Sequence, residues 1–596
     1  MTETSEVETT TPQSEPLAPQ HDLSIAKTLF TGKILHANLF PYPHMSQEER
    51  ETLTPMLEAI DAFLADRRDD FRRWDLEAGQ PAAFIQELRE LGLFGLIIPE
   101  DHGGLGLSNA AYARVLAQTS RYDTSVSLTI GAHSSIGMKG LLLFGNSEQR
   151  ARYLPRLASG ELIAAFCLTE SGAGSDAAAL RTTARRQPDG SWLLNGEKIW
   201  ITNGGIADLY TVFARTDGTD GKITAFVVEA AWDGVSHGPH EDKMGIRASS
   251  TTTVSFADVR VPAENVLGEP GKGFKIAMAI LNNGRTGLGG GAVGGMKALL
   301  ALASQQAQER RQFDRPIAEF GLIREKLAQI AIDCFAAESV VWMVAHYIDS
   351  GFEDYSVEAA ISKVFATEAA NRAAWEALQI AGGNGYMREY PYEQAVRDAR
   401  ISPIFEGTNE ILRLFIAMSG LKDAGKPLSD LKAAVDDIFA HPIKGFGVLS
   451  GYAGRRFTRA TGVNLGPAFA HCPGELRPSC AVYEKYTAAF GGAAEQVLRR
   501  YGRGVVERQY DLKRLADITI DLFVGLCVMA RATTLGIEDP AQRERVHAIA
   551  ATFTQQAKRR MAANLRRLEH NEDEQIDRLA GAVLADGGYR WDILSG

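Results

Sequence analysis

Glu406 is the residue of this 596-residue sequence whose setting best suits proton transfer. It lies in the segment ISPIFEGTNEIL, residues 401–412, where an apolar Ile-Phe pair precedes it and a glycine follows it. Burial disfavours the ionised form of a carboxyl group and so raises its pKa, which is what a general base for a weak carbon acid requires. A glutamate that merely favours a helix N-terminus is the alternative, and this segment alone leaves both interpretations open.

Two other segments combine residues that could surround a planar ligand. The segment FCLTESGAGSD, residues 166–176, has glycines that let the backbone approach a ligand closely, and it carries hydroxyl groups at Thr169 and Ser175. The segment WITNGG, residues 200–205, brings an aromatic ring and a hydroxyl together at a predicted strand end. A ring beside hydroxyl donors would suit a flavin, whereas an ordinary Gly/Ser turn and a core tryptophan are the alternatives.

Two familiar motifs occur in the wrong context. Gly289, Gly291 and Gly294 match GxGxxG, but the preceding FKIAMAILNNGR is helical, so these glycines predict close helix packing rather than dinucleotide binding. His237 and His240 form an HxxH in a Gly/Pro-containing loop without further clustered ligands. We therefore expect no metal site there.

Composition and charge narrow the class of protein. Hydrophobic residues make up 45% and charged residues 23% of the chain, which is typical of a soluble globular protein. The formal net charge of -11 argues against a nucleic-acid binder. The five cysteines are too scattered for a disulfide framework, and no apolar run approaches the roughly 18 residues of a membrane span. The acidic, Thr/Pro-rich start lacks the apolar stretch of a secretory signal, so we expect a cytoplasmic protein.

Hydrophobic periodicity divides the chain into blocks that would position these segments. The period is helical at first, changes from 3.6 to 2 residues, and then returns to the helical value. The predicted blocks are a disordered tail over 1–20, a helical domain over 21–165, a β domain over 166–272, a four-helix bundle over 273–420 and an additional helical domain over 421–596.

Local signals add detail within two of these blocks. In the β domain, Asn195-Gly196 predicts a tight hairpin, because a type I′ turn needs positive φ at both central residues. In the bundle, the long periodic stretches predict helices near 274–312, 321–349, 356–382 and 407–420.

A helical block, a small β block and a helical bundle follow one another in this order and carry the three segments described above. In this arrangement the chain resembles the acyl-CoA dehydrogenase family over residues from about 45 to 420. Five segments and the helical extension after residue 420 are similar to the very-long-chain branch of this family. The segments are FPYPHMSQEER, TIGAHSSIGMKGLLLFG, ILNNGRTGL, IFEGTNEILRLF and RLADITIDLF. The resemblance implies an α+β fold that is mostly α, with an N-terminal helical domain, a central small β-barrel domain, a four-helix bundle and an extra C-terminal helical domain. It also implies FAD as the cofactor and a long-chain acyl-CoA as the substrate.

The resemblance assigns site residues by matching position, and it implies a homodimer because FAD is shared between subunits. Expected to contact FAD within one subunit are Phe166, Leu168, Thr169, Ser175, Trp200, Thr202, Thr408 and Glu410. Expected to reach the FAD of a neighbouring subunit are Arg310, Phe313, Phe320, Gln379 and Gly383. Expected to contact acyl-CoA are Ser175, Asn282, Arg285 and Gly407.

The implied reaction is a step of fatty acid β-oxidation that produces trans-2-enoyl-CoA. Glu406 would remove the α-proton while the β-hydrogen leaves as hydride to flavin N5. Some family members carry the base on another helix, at the position of Gly284, so Glu406 has no visible rival. An electron-transfer flavoprotein is the expected acceptor. An oxidase that uses O₂ and a non-catalytic assembly relative are the alternatives.

A basic stretch between residues 442 and 471 stands out in this acidic chain. It contains Lys444, Arg455, Arg456 and Arg459 beside apolar residues, and it has no acidic residue. Such a composition would suit peripheral contact with the inner face of a membrane, where it would serve delivery of a long-chain substrate. A flexible basic loop between helices is the alternative.

Overall fold

Eight α-helices of the described chain precede the sheet. The structure, a computed structural model, describes residues 19–424, 469, 472–537 and 539–594. The helices are α1 (Ile25–Leu29), α2 (Gln47–Ala65), α3 (Arg68–Glu77), α4 (Ala82–Glu90), α5 (Asn109–Ser120), α6 (Thr124–Gly131), α7 (Lys139–Phe144) and α8 (Ser147–Ala158). Polar residues fix where they begin: the Ser46 side chain accepts the backbone N–H of Glu49, and Asn146 forms a capping box with Gln149.

A sheet of eight strands follows the N-terminal helices. The strands are β1 (Ala164–Cys167), β2 (Thr183–Arg186), β3 (Trp192–Thr202), β4 (Leu209–Thr216), β5 (Ile223–Glu229), β6 (Val235–His237), β7 (Thr251–Val261) and β8 (Val266–Leu267). Their hydrogen-bonded order is β6-β7-β3-β2-β4-β5-β8, and β1 pairs in parallel with β4. The two long strands β3 and β7 therefore run side by side, and the end of β3 reaches the helical domains.

The hairpin predicted at Asn195-Gly196 is wrong, because both residues lie inside the continuous strand β3. The Asn195 side chain accepts the backbone N–H of Asp258 in β7 at 2.9 Å and donates to its carboxylate at 3.0 Å. A Cβ atom on Gly196 would lie 2.4 Å from Oγ1 of Thr182. Glycine here permits a bulge and close packing, not a reversal of the chain.

The helical bundle begins directly after the sheet. Its elements are α9 (Gly273–Glu309), the short strands β9 (Arg311–Gln312) and β10 (Arg315–Pro316), α10 (Gly321–Asp349), α11 (Ser356–Ala381), α12 (Gly383–Tyr386), α13 (Tyr392–Ala399) and α14 (Asn409–Ala424). The four long helices agree with the predicted ones to within about a turn at each end.

Helix α10 is the one helix of the described residues that is long and apolar enough to cross a membrane by length and composition. Its apolar window has a mean hydropathy of 1.5, and 61% of that window is buried inside the protein. Burial of this kind is also typical of a core helix that packs on all sides.

Four further helices close the described chain, and the first three of them pack on the bundle. They are α15 (Arg477–Tyr501), α16 (Gln509–Thr534), α17 (Pro540–Arg567) and α18 (Asp573–Asp586). Arg413 of α14 links the two parts: it donates to Glu368 of α11 at 2.6 Å and to Asp517 of α16 at 2.6 Å. The four cationic residues of the basic stretch singled out in the sequence lie outside the described residues.

Glycines of α9 bring neighbouring helices close together. A Cβ atom on Gly294 would lie 1.9 Å from the carbonyl oxygen of Ala117 in α5, and one on Gly289 would lie 2.7 Å from a methyl carbon of Val341 in α10. The prediction that the GxGxxG glycines serve helix packing is confirmed at these two positions.

We expect Gly294→Ala to lower the free energy of unfolding by about 1–3 kcal/mol, because the added methyl group overlaps the backbone of α5. Gly295→Ala is the matched control, since nothing lies within 4 Å of its Cβ position. Alanine's better helix propensity should make that variant more stable by up to about 1 kcal/mol. Urea unfolding followed by circular dichroism measures both variants, and equal effects would contradict the close-packing interpretation.

Candidate active site

A cavity of about 780 Å³ lies where the β domain meets the helices. This volume is in the range of small-molecule and cofactor pockets. Its walls come from α5 and α6, the loop after β1, the end of β3, one face of α9 and the turn before α14. The three segments that the sequence singled out thus meet at one site.

Trp200 presents its ring to the cavity because β3 changes register just before it. The pairing with β7 shifts between Lys198 and Ile201, and Trp200 takes a φ of 57°. As a result 64% of Trp200 is exposed while Ile201 is buried. A positive φ at a bulky residue costs on the order of 1–3 kcal/mol and persists only where the surroundings enforce it. With Thr169 and Thr202 also in the wall, the exposed ring can stack on a planar ligand.

The loop between β1 and β2 is held by a buried ion pair that sequence reasoning missed. Nζ of Lys198 lies 2.8 Å from Oε1 of Glu170 and also donates to the carbonyl of Leu168 at 3.1 Å. Glu170 in turn accepts the backbone N–H groups of Arg181 and Thr182 at 2.5 and 3.0 Å. The pair therefore fastens both ends of the loop that lines the cavity. A lysine in the inward-facing phase of a strand is the signal that could have found it.

Glu406 lies at a strained turn that faces the same cavity. Its φ is 54° and that of Gly407 is 93°, so two consecutive residues occupy the left-handed region. Glycine tolerates this conformation, but glutamate adopts it only under constraint. Oε2 of Glu406 is buried and has no hydrogen-bond partner among the described residues. Burial raises the pKa of Glu406, and the positive charges of Lys363 and Arg285 oppose that rise.

Arg285 of α9 places a buried guanidinium beside Glu406. It donates to Oδ1 of Asn282 at 2.6 Å, while its Nε has no partner within the part of the chain that the structure describes. Burial lowers the pKa of Arg285 to about 10, so the group stays protonated at neutral pH. A buried carboxylate oxygen and a buried guanidinium N–H, both unsatisfied and both on residues that line the cavity, are expected where a ligand completes the hydrogen bonding.

The structure brings about half of the sequence-predicted site residues to the cavity. The cavity wall includes Phe166, Leu168, Thr169, Ser175, Trp200, Thr202, Arg285, Glu406 and Gly407. Three others lie just outside it. Asn282 supports Arg285, Thr408 accepts the backbone N–H of Ile411 at the start of α14, and Glu410 is exposed.

The five residues expected to serve a neighbouring subunit do not line the cavity of their own chain. They are Arg310, Phe313, Phe320, Gln379 and Gly383. Phe313 is 86% exposed, and its ring packs edge-on against Phe320 at 6.0 Å between centroids. Their role toward another subunit stays a prediction.

Comparisons with known proteins cover each of these domains. The family model described as Acyl-CoA dehydrogenase, N-terminal domain, matches residues 50–161, the middle domain matches 165–259, and the C-terminal domain matches 271–421. The model ACAD9/ACADV, C-terminal domain, matches residues 474–589. The very long-chain specific acyl-CoA dehydrogenase, mitochondrial, of Homo sapiens is 45% identical over 520 residues, which cover 86% of this chain and 79% of that protein. The chain belongs to the acyl-CoA dehydrogenase family.

Solved structures of the family share the fold. An acyl-CoA dehydrogenase complexed with FAD from Bacillus anthracis has a TM-score of 0.77 and 32% identity, covering 93% of this chain and 94% of its own. A chain from the structure "Electron transferring flavoprotein of Acidaminococcus fermentans: Towards a mechanism of flavin-based electron bifurcation" has a TM-score of 0.60 and 37% identity, covering 62% of this chain and 97% of its own. The predicted fold class, acyl-CoA dehydrogenase activity and FAD requirement are therefore confirmed.

The cavity residues fit FAD as the cofactor. The exposed face of Trp200 suits the flavin ring system, and the hydroxyls of Thr169, Ser175 and Thr202 supply hydrogen-bonding groups beside it. Oε2 of Glu406 and Nε of the adjoining Arg285 have no hydrogen-bond partner among the described residues. These two atoms are therefore available to a substrate that lies next to the flavin position.

We expect Lys198→Met to destabilise the protein by about 3–5 kcal/mol, because it leaves Glu170 as an uncompensated buried charge. The loop that lines the cavity should loosen, so the variant should also retain less FAD per chain. Lys513→Met is the matched control: its partner Asp517 lies on the same helix face and Lys513 is 60% exposed. Loss of that exposed pair should cost less than about 1 kcal/mol. Thermal unfolding and flavin absorbance check both variants, and similar results for the two would contradict the anchoring role.

Proposed function

We propose that the protein acts on long-chain acyl-CoA thioesters, with Glu406 as the base that removes the α-proton. The supporting observation is the buried Oε2 atom of Glu406, which has no hydrogen-bond partner among the described residues and belongs to a side chain lining the cavity. A carboxylate so placed accepts a proton without first breaking a hydrogen bond.

The chain's own residues account for proton removal. The α-proton of a thioester is weakly acidic, so the base needs a raised pKa and the carbonyl oxygen needs a donor. Burial gives Glu406 the first property. Its backbone N–H has no hydrogen-bond partner within the described residues, and donation to the thioester carbonyl would stabilise the transition state by roughly 3–4 kcal/mol. FAD, when bound, supplies the acceptor for the β-hydrogen as hydride.

The shape of the cavity supports a long acyl chain. Its wall follows α9 through Gly287, Gly291 and Gly295, which add no side chains to the space. Eight residues of helix span about 12 Å, so this groove continues well beyond Arg285. The Homo sapiens relative, named very long-chain specific, supports the same substrate class.

We also infer that two copies associate and that an electron-transferring flavoprotein accepts the electrons. The exposed aromatic residues Phe313, Trp375 and Tyr386 support the first inference, because large apolar side chains at a surface favour a protein contact. Sedimentation velocity at micromolar concentration checks it, and a monomer would contradict it. Cytoplasmic location and peripheral membrane contact remain proposals based on the sequence.

Glu406→Gln should retain FAD but reduce turnover by about 10²–10⁴-fold or more, because the amide cannot accept the α-proton. Glu544→Gln, at an exposed glutamate of α17 that does not line the cavity, is the matched control and should stay close to the parent rate. Anaerobic reduction of the bound flavin by acyl-CoAs from C4 to C20 measures both variants. The parent rate should fall as the pH drops through the raised pKa of Glu406. A Glu406→Gln variant that reduces flavin normally would contradict the assignment.

The same panel of substrates tests the chain-length proposal. Gly295→Leu should slow flavin reduction by C16–C20 substrates at least tenfold and leave C6–C8 substrates little affected, because its side chain would enter the open part of the cavity. Gly295→Ala controls for the change of backbone propensity. A uniform loss across all chain lengths would contradict the proposed acyl path.

The electron acceptor is tested by two assays on the parent protein. Turnover with ferrocenium and little peroxide release supports a dehydrogenase that works with an electron-transferring flavoprotein. Stoichiometric peroxide release would indicate an oxidase instead.

A further inference from the structure

Lys363 is a fully buried lysine whose hydrogen bonds converge on the turn that carries Glu406. It lies two turns into α11 and has an exposure of 0%. Its Nζ donates to the carbonyl oxygen of Gly407 at 2.8 Å and to Oδ1 of Asn409 at 2.9 Å. A buried ammonium is costly unless it is paired and hydrogen-bonded, so these contacts need an explanation beyond packing.

The contacts fix the part of the turn that is hardest to hold. Glu406 and Gly407 both have positive φ, and a carbonyl group that stays bound to Lys363 limits rotation of the peptide that follows them. Asn409 is fixed in turn, because its amide donates to Thr367 at 3.1 Å and to Glu368 at 3.2 Å. Residues on one face of α11 thus hold, by hydrogen bonds, the chain that follows Glu406.

The charge of Lys363 acts on the same carboxylate. The charged groups that face it are Glu406 from the turn, Arg285 from α9, Glu368 from α11 and Glu410 from α14. Burial lowers the pKa of Lys363 to about 7, and among the carboxylates that oppose this shift Glu406 has the largest effect. Glu368 is already paired with Arg413 at 2.6 Å, and Glu410 is exposed. The ammonium and the Glu406 carboxylate therefore stabilise each other's charged forms.

We propose that Lys363 is a positioning residue for this reaction, which holds the Glu406 turn through Gly407 and supplies the positive charge that keeps Glu406 ionised. The proposal rests on the proposed role of Glu406 as the base. It assigns Lys363 no contact with substrate or cofactor. Arg285, which lines the cavity, is the second cation beside the carboxylate but makes no hydrogen bond to the turn that the described residues record.

The test separates the charge of Lys363 from its bulk by comparing three variants of the FAD-loaded protein. Lys363→Gln keeps a donor and removes the charge, Lys363→Met removes both, and Lys363→Arg keeps the charge. Lys326→Gln, whose lysine pairs with Glu376 between α10 and α11, is the matched control away from the turn. The rate of anaerobic flavin reduction by palmitoyl-CoA is measured from acid to neutral pH. Flavin content and melting temperature are recorded for each variant.

We expect the acid limb of the rate profile to move to higher pH by about one pH unit or more in Lys363→Gln and Lys363→Met, because Glu406 loses a nearby positive charge. Rates on that limb should fall at least tenfold. The limb should stay near the parent position in Lys363→Arg and Lys326→Gln, even if Lys363→Arg is slower overall. Lys363→Met, which leaves no polar end in the core, keeps the test informative if Lys363→Gln loses its flavin.

A second measurement isolates proton removal from hydride transfer. A 3-thia-acyl-CoA, which can lose its α-proton but whose sulfur replaces the carbon that would give up hydride, should give its long-wavelength absorbance band only at higher pH in the charge-removing variants. An unmoved acid limb and an unmoved band in Lys363→Gln and Lys363→Met would overturn the proposal. So would an equal displacement of the limb in Lys363→Arg. If no acyl-CoA reduces the parent flavin, the proposed function falls and the role of Lys363 falls with it.

Discussion

A carboxylate kept out of water between two buried cations is the constraint that organises this structure. Burial alone would protonate Glu406, whereas Lys363 and Arg285 favour its charge. Both cations are buried from solvent, so both depend on protein contacts to stabilise their charges. Buried charges of this kind seldom contribute net stability, because removing each one from water costs several kcal/mol. Their retention in the core agrees with the proposed role of Glu406, since a base with a tuned pKa needs this environment.

Two residues in unfavourable backbone conformations face the cavity, and each is held by a buried lysine. Trp200 follows the register shift of β3, where Lys198 ties the strand to the loop through Glu170. Glu406 precedes Gly407, whose carbonyl group is bound by Lys363. Strain at a functional site persists only when the surroundings over-determine it. In this protein long, charged side chains from neighbouring elements do so, and they place the aromatic wall and the carboxylate before any ligand arrives.

The sequence predicted what depends on local pattern and failed where distant contacts decide. The long helices of the bundle were predictable, because their apolar residues repeat with helical spacing over many turns. Glu406 was recognisable from the apolar residues around it and from the family resemblance. Asn195-Gly196 has the composition of a hairpin, but pairing with β7 along its whole length keeps β3 extended. The direction of Trp200 was equally hidden, since simple alternation would have placed its ring inward.

The ion pair between Arg413 and Asp517 gives the C-terminal helices a role that their distance from the cavity does not suggest. Through Arg413 they contact Glu368, which accepts a hydrogen bond from Asn409 beside the turn that carries Glu406. The C-terminal helices are thus connected by hydrogen bonds to the turn that carries Glu406, on the side of that turn away from the cavity. A shorter chain without these helices would keep the pairing of Arg413 with Glu368 but would lose Asp517, so one carboxylate alone would balance the guanidinium and hold that corner of the bundle.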